Sequence, residues 1–231
     1  TTNVTTMKCM FKDCKTIKEI DVRAFNPLNV QNMCEMFSDC VELKKIRFLN
    51  FNTQNVTDMG YMFSGCSSLK ELDLSSLNTQ NVTNMSYMFK KCKSIATLSL
   101  AQFNTHQLQS GVGMFKDCSS LEEINLMSFI TPALFATTQM FEGCSSLEKL
   151  DLSTFNTQHV TDMGAMFRGC LSLKELDQNF VLQNGVGITS IFAGCNRKFI
   201  VKMQNTPPFD ALNDEENAEN EEYYFKVLQD A

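Results

Sequence analysis

The stretch of sequence that decides the fold is Asn55-Val56-Thr57-Asp58-Met59-Gly60-Tyr61-Met62-Phe63-Ser64-Gly65-Cys66-Ser67-Ser68-Leu69-Lys70-Glu71-Leu72-Asp73-Leu74-Ser75-Ser76-Leu77-Asn78-Thr79-Gln80. From Met59 to Cys66, the Met, Phe and Cys side chains follow the i, i+3, i+4, i+7 spacing of one helical face. From Glu71 to Ser75, leucines alternate with polar residues, as in a strand with one buried face. The stretch therefore predicts one short helix, then one short strand, then a turn.

This unit recurs along the chain with a period of 26 residues. Seven cysteines stand 26 residues apart and an eighth follows after 25: Cys14, Cys40, Cys66, Cys92, Cys118, Cys144, Cys170 and Cys195. A phenylalanine stands three residues before each of them, at Phe11, Phe37, Phe63, Phe89, Phe115, Phe141, Phe167 and Phe192. A short helix and a short strand cannot bury their apolar faces alone, so neighbouring units must stack.

The predicted fold class is an α/β solenoid, a leucine-rich-repeat-like curved stack of about eight strand–helix units with an all-parallel concave sheet. Strands pack ~4.8 Å apart and helices ~10 Å apart, so the stack is expected to curve with its strands on the concave side. Equivalent residues of successive units are expected to lie side by side in columns. The columns that contain Met62, Phe63, Cys66, Leu72 and Leu74 are expected to be almost wholly buried. Two degenerate units, at 104–114 and 130–140, are expected to have shorter or irregular helices.

Two regions are expected: a solenoid over 1–203, and an acidic tail over 204–231 that can fold back as a cap. From Asp210 onward the chain has eight acidic residues and one basic residue, a sum of −7, which leaves the rest at +1 within a total of −6. A near-neutral body has no basic stripe that could follow a phosphate backbone, so nucleic acid is not an expected partner. No apolar run approaches the ~20 residues of a membrane span.

The ten cysteines are interpreted as packing residues, without a metal or a cofactor. The chain has no C-x-x-C pair, and its two histidines, His106 and His159, stand alone. The column cysteines are expected to be buried free thiols. Cys9 and Cys34 lie outside the column, and they are the favoured pair if any disulfide forms.

Four asparagines fit the N-x-[ST] glycosylation pattern, at Asn3, Asn55, Asn81 and Asn84. Helix capping by Asn and Thr explains their recurrence without a sugar, and it is the favoured interpretation. No Ser–His–Asp, Cys–His or paired-carboxylate arrangement stands out from the periodic background. The sequence therefore favours a protein that is not an enzyme.

The candidate binding face is the concave side of the predicted sheet. Its outward residues are Asp21, Lys45, Arg47, Glu71, Asp73, Thr97, Ser99, Glu123, Asn125, Lys149, Asp151, Glu175 and Asp177. These charges either keep the sheet soluble or form an acidic groove for a protein or a glycan, and both interpretations remain open. If the face binds a partner, we expect contacts around Arg47, with Arg47 close to both Asp21 and Asp73.

The segment from Asn55 to Ser75 resembles the BspA-type leucine-rich repeat, and the resemblance covers roughly residues 1–203. The usual ladder asparagine is displaced by Leu77 or a phenylalanine, with Asn78 or its equivalent one residue later. The resemblance implies a solenoid displayed at a cell surface or secreted, and used for adhesion to a protein or a glycan. The alternative is a structural subunit of a larger assembly, which could associate end to end through Thr1–Met10. The many free thiols suit a reducing compartment, which favours that alternative.

Overall fold

The computed structural model describes residues 3–176 and 186–195, and it shows a stack of repeat units joined by parallel pairing. Each repeat unit forms one rung of the stack, and the rungs are numbered from the N-terminus, so that the first contains Cys14 and the third contains Cys66. One ladder of parallel bridges links equivalent positions of successive rungs: Thr6, Asn32, Asp58, Asn84, Ser110, Ala136, Asp162 and Gly187. These eight positions confirm a repeat solenoid of about eight rungs. No helix in this part of the chain is long and apolar enough to cross a membrane.

The strands are short and parallel as predicted, but the described residues form three two-stranded sheets and not one continuous sheet. β1 (Glu19–Asp21) pairs with β2 (Lys45–Arg47), β3 (Thr97–Ser99) with β4 (Glu123–Asn125), and β5 (Lys149–Leu150) with β6 (Glu175–Leu176). Each three-residue strand buries its middle residue, as the alternating sequence predicts. Residues 71–73 of the third rung form no strand, and Leu72 is only half-buried, whereas its described equivalents in the other rungs are buried as predicted.

The predicted helices are absent, because residues 3–176 and 186–195 contain no helix. The segment from Met59 to Cys66 is instead a ribbon of turns. Its backbone amides alternate between an acceptor in the same rung and an acceptor in the next rung. The amide of Met62 donates to Met59 O within its own rung, at 3.2 Å. The amide of Phe63 donates to Met88 O in the next rung, at 2.9 Å. The strand–helix unit is therefore corrected to a strand–turn unit.

Left-handed backbone prevents the helix. In the third rung, Tyr61 has φ 56° and Gly65 has φ 75°, and each of the seven other described rungs repeats this pair of positions. An α-helix requires right-handed φ at every residue, so a left-handed residue every fourth position breaks it. The apolar side chains still reach the interior: Met59, Met62 and Phe63 are fully buried.

Backbone hydrogen bonds between the turns of neighbouring rungs bring the rungs about as close together on the turn side as on the strand side. The column phenylalanines from Phe11 to Phe192 stack ring on ring, with centroids 5.3–5.9 Å apart. This separation is close to strand spacing and far below helix spacing. The predicted cause of curvature is therefore absent from the described rungs. We refer below to the predicted concave face as the strand face.

Buried polar groups connect each rung to its neighbour inside the core. The Sγ of Cys66 donates to Phe37 O at 3.2 Å, and the thiols from Cys40 to Cys195 repeat this contact one rung further each time. Elsewhere in the core, the buried Thr53 Oγ1 donates to Asn78 O of the next rung at 2.8 Å. A buried polar atom that lacks a partner costs about 1–3 kcal/mol, so these repeated contacts allow Cys and Thr in the core.

The recurrent Asn and Thr of the N-x-[ST] segments do not cap helices, so that interpretation is wrong. Asn55 Nδ2 donates to Leu28 O of the preceding rung at 2.7 Å, and Asn81 Nδ2 donates to Gln54 O at 2.8 Å. Thr57 Oγ1 donates to Gln31 O at 3.3 Å. These residues therefore link rungs.

The two degenerate units, at 104–114 and 130–140, follow the same turn path as the others. The amide of Met114 donates to Gly111 O, and the amide of Met140 donates to Thr137 O.

Candidate functional site

The strand face carries the residues that the sequence singled out. Most of them are exposed, while Arg47 and Asn125 are half-buried: the exposed ones are Asp21, Lys45, Glu71, Asp73, Thr97, Ser99, Glu123, Lys149 and Asp151. Asp177 and the side chain of Glu175 lie outside the described residues, as does the predicted tail over 204–231. The structure therefore confirms the outward orientation of this face, without showing what it binds.

Arg47 lies opposite Asp21 in the register of β1 and β2, which confirms the predicted closeness of these two residues. Its ion pair, however, is with Glu19, whose Oε2 lies 3.3 Å from Arg47 Nη2. Asp21 pairs with Arg23 at 2.6 Å instead. The hydrogen bond from Arg23 lowers the pKa of Asp21 to about 2. Both pairs are solvent-exposed, and such pairs contribute little to stability.

The central acids of the strand face also close turns. Asp73 Oδ1 accepts the Ser75 amide at 2.9 Å, and Asp151 Oδ1 accepts the Ser153 amide at 2.9 Å. Hydrogen bonds from the serines lower the pKa of both carboxyl groups. Local Asx turns of this kind are signalled by Asp two residues before Ser, a pattern that the sequence analysis had treated only as outward charge. The central column is thus partly structural.

A groove crosses the strand face over the four rungs that carry β3, β4, β5 and β6. Its volume is about 770 Å³, and its lining residues are Thr97, Glu122, Glu123, Ile124, Ser146, Glu148, Lys149, Asp151 and Ser172. We call it the strand-face groove. It brings together four of the predicted residues, but it lies away from Arg47, Asp73 and Glu71, where contacts had been expected. The lining is acidic, because it contains four carboxylates and one lysine.

Exposed apolar side chains flank the same face. Met127 exposes 74% of its surface and Leu49 exposes 62%, the two largest values among the exposed large hydrophobic residues. Both stand in the column next to the central acids, two residues after Asn125 and Arg47 respectively. Large exposed apolar groups beside polar ones are common where proteins meet other proteins.

A second groove lies on a different set of columns, and it was not among the predicted sites. Its volume is about 490 Å³, and it is lined by Asn29, Gln31, Asn55, Thr57, Asn81 and Gln107. We call it the amide groove. The available signal was the recurrence of Asn29, Asn55, Asn81 and Gln107 at 26-residue spacing, and it was overlooked because Asn and Thr were assigned to helix caps.

Neither a metal site nor a disulfide is seen in the described part of the chain. No group of three or more His, Cys, Asp or Glu side chains there could hold a metal ion. His106 bonds to Asn104 through Nδ1 at 3.0 Å. Cys9 and Cys34 belong to adjacent rungs, where the Cys9 amide donates to Cys34 O at 3.0 Å, and both are free thiols.

The buried column thiols are expected to resist alkylation in the folded protein. Burial raises the pKa of Cys118 to about 12, and burial also raises the pKa of Cys92 and Cys144 well above the usual range. Because the thiolate is the reactive form, iodoacetamide at pH 8 should modify these cysteines on the order of a hundredfold more slowly than the half-buried Cys9. Timed quenching and peptide mass spectrometry measure the rates. Equal rates would contradict the buried-thiol interpretation, and denatured protein provides the control.

Comparison with known proteins places the chain in a family. The sequence profile of DUF285, described as "Mycoplasma protein of unknown function", matches residues 5–129 and 96–205, which together span most of the chain. No curated protein matches the chain.

Two solved structures resemble the chain. One is a leucine rich cell surface protein from Faecalibacterium prausnitzii A2-165, with 17% identity over 88% of this chain and 64% of that one, at a TM-score of 0.45. The other is a leucine-rich repeat protein from Bacteroides ovatus ATCC 8483, with 20% identity over 84% of this chain and 57% of that one, at a TM-score of 0.39. The chain thus spans less than two thirds of the length of each. By its match to the family profile, the chain belongs to the DUF285 family.

Proposed function

We propose that this chain is a non-enzymatic interaction module that binds a protein partner through its strand face. The observation that carries the proposal is the strand-face groove, in which Glu122, Glu123, Glu148 and Asp151 line an open volume of about 770 Å³. β3 pairs in register with β4, and β5 with β6, which fixes the spacing of side chains within each pair and gives a partner a largely preformed surface.

The groove's chemistry indicates the kind of partner. Its acidic lining suits a polypeptide segment with lysine or arginine side chains, and one of its acids, Glu148, is already paired with Lys174 at 2.7 Å. Met127, exposed on the flanking column, offers an apolar contact for the same segment. A basic segment that also carries an apolar residue would therefore meet both features at once.

The place of action follows from the repeat. The resemblance of the Asn55–Ser75 unit to the BspA-type repeat supports display at a cell surface or secretion, with adhesion as the role. Half-buried free thiols such as Cys9 and Cys34 suit a reducing compartment, which is the strongest observation in favour of an intracellular site.

Charge reversal in the groove tests the proposal. Basic peptides are selected from a displayed random-peptide library on the immobilised chain, and their affinity is measured by calorimetry at two salt concentrations. Glu123→Lys should weaken the selected peptides about tenfold or more, because it places like charge against the peptide. Affinity should also fall as salt rises. The control is Asp13→Lys, an equal charge change outside the groove, at a position where Lys91 already occupies the equivalent left-handed site.

Two outcomes would contradict the strand-face assignment. The selection could yield no enrichment in lysine and arginine, or the enriched peptides could bind Glu123→Lys as well as the parent. Comparable melting temperatures for the two variants show that any loss of binding is not a loss of folding.

A further inference from the structure

The amide groove has a lining unlike that of the strand-face groove, because no lining residue carries a charge. Its six residues provide five carboxamides and one hydroxyl, and all six are exposed: Asn29, Gln31, Asn55, Thr57, Asn81 and Gln107. They stand in two columns on either side of the buried Val30 and Val56. A charged ligand would find no opposite charge among these residues, whereas a neutral ligand rich in hydroxyl groups would find hydrogen-bonding groups along the whole groove.

The backbone of neighbouring rungs fixes how two of the carboxamides face the groove. The Nδ2 atoms of Asn55 and Asn81 donate to Leu28 O and Gln54 O of the preceding rungs, at 2.7 and 2.8 Å. Within the described part of the chain no protein donor reaches their Oδ1 atoms. Two oriented carbonyl acceptors therefore repeat one rung apart. Thr57 Oγ1 is likewise held, by donating to Gln31 O, and it keeps its lone pairs for a ligand.

Preorganised acceptors at regular spacing favour a ligand with regularly spaced donors. Adjacent rungs lie roughly 4.8 Å apart where their backbones pair, a distance similar to the length of one pyranose ring. Successive sugar residues can thus place hydroxyl groups against successive rungs. The flexible carboxamides of Gln31 and Gln107 can both donate and accept, so they can follow the hydroxyl groups that the fixed acceptors leave unsatisfied.

We propose that the amide groove is a binding site for a neutral, linear oligosaccharide. The proposal concerns a different surface from the strand-face groove and does not depend on it. Each hydrogen bond in such a shallow groove contributes modestly, so binding of one chain is weak and becomes measurable when the protein is displayed in several copies.

The test uses a streptavidin tetramer of the biotinylated chain on an array of neutral, sialylated and sulfated oligosaccharides. The expected result is retention of neutral linear glycans. The double variant Gln31→Met with Gln107→Met replaces two carboxamides with side chains of similar shape, and it should weaken retention about tenfold. The matched control is Gln102→Met, an exposed position outside the groove. Thr57→Val removes the remaining hydroxyl and should add to the loss.

Each other outcome overturns the proposal. Absence of neutral-glycan binding removes the site, and binding of sulfated glycans alone requires a cationic surface elsewhere. Neutral-glycan binding that the double variant leaves unchanged places the sugar on another face. Because Glu123→Lys lies on the strand face, its effect on peptide binding and the effect of Gln31→Met on glycan binding are read independently.

Discussion

Replacing Phe89 with alanine is expected to lower the free energy of unfolding by about 3–5 kcal/mol. Phe89 is fully buried, and its ring stacks between those of Phe63 and Phe115 at centroid distances of 5.6 and 5.7 Å. Truncation removes contacts on both sides and leaves a cavity that the two hydrogen-bonded rungs cannot close. Urea denaturation of the parent and the variant, followed by circular dichroism, measures the difference.

Phe11 provides the matched control at the end of the stack. Among the described residues its ring meets one phenylalanine of the column, Phe37 at 5.5 Å, and it is only partly buried. Phe11→Ala should therefore cost roughly half as much or less. Equal losses at Phe11 and Phe89 would show that the column is not a continuous stack in solution.

Gly65→Ala is expected to destabilise the protein by roughly 2–5 kcal/mol, the second largest effect. Gly65 has φ 75°, where a residue with a Cβ costs about 1–2 kcal/mol. The added Cβ would also lie 2.3 Å from Oδ1 of Asp39 and 3.2 Å from its Cα in the preceding rung. Overpacking of this kind costs about 1–3 kcal/mol more. The loss is measured by the same denaturation experiment.

The variant Gly169→Ala distinguishes the cost of the left-handed backbone from the cost of the contact with Asp39. Gly169 has φ 72°, but a Cβ there would come no closer than 3.7 Å to Gly143 of the preceding rung, so Gly169→Ala carries the backbone cost alone. Asp39→Gly combined with Gly65→Ala recreates that environment and should recover the difference between the two single variants. If Gly169→Ala is as harmful as Gly65→Ala, contact with Asp39 is not the cause.

The sequence predicted the period, the parallel strands and the buried columns, because all three depend on which side chains are apolar. It failed on the helices, since Met59, Met62, Phe63 and Cys66 have the same spacing in a ribbon of turns as on a helical face. The column just before the cysteines held the missing signal. It consists mainly of Asp and Gly, residues that tolerate left-handed backbone: Asp13, Asp39, Gly65, Lys91, Asp117, Gly143, Gly169 and Gly194.

The candidate sites were predicted only in part, for a related reason. The alternation of apolar and polar residues fixed which side chains point outward from the strands, so Glu123 and Asp151 could be named in advance. The pairing of Arg47 with Glu19 depends on side-chain reach, which spacing alone does not give. The amide groove is lined by the columns of Asn55 and Thr57, whose side chains had been assigned to helix caps.

The alternating pattern of amide hydrogen bonds has a consequence for how the gene can change. Amides such as Tyr61 and Tyr87 donate to carbonyls 25 residues further along, at Ser86 and Val112, so the pattern is the same from one rung to the next. Insertion or loss of a whole 26-codon unit leaves every remaining donor opposite an equivalent acceptor. The step from Phe167 to Phe192 is one residue shorter, and their rings still stack, so small changes of length can be absorbed between the paired turns. Unequal crossing-over between repeats can therefore lengthen or shorten the molecule in whole rungs.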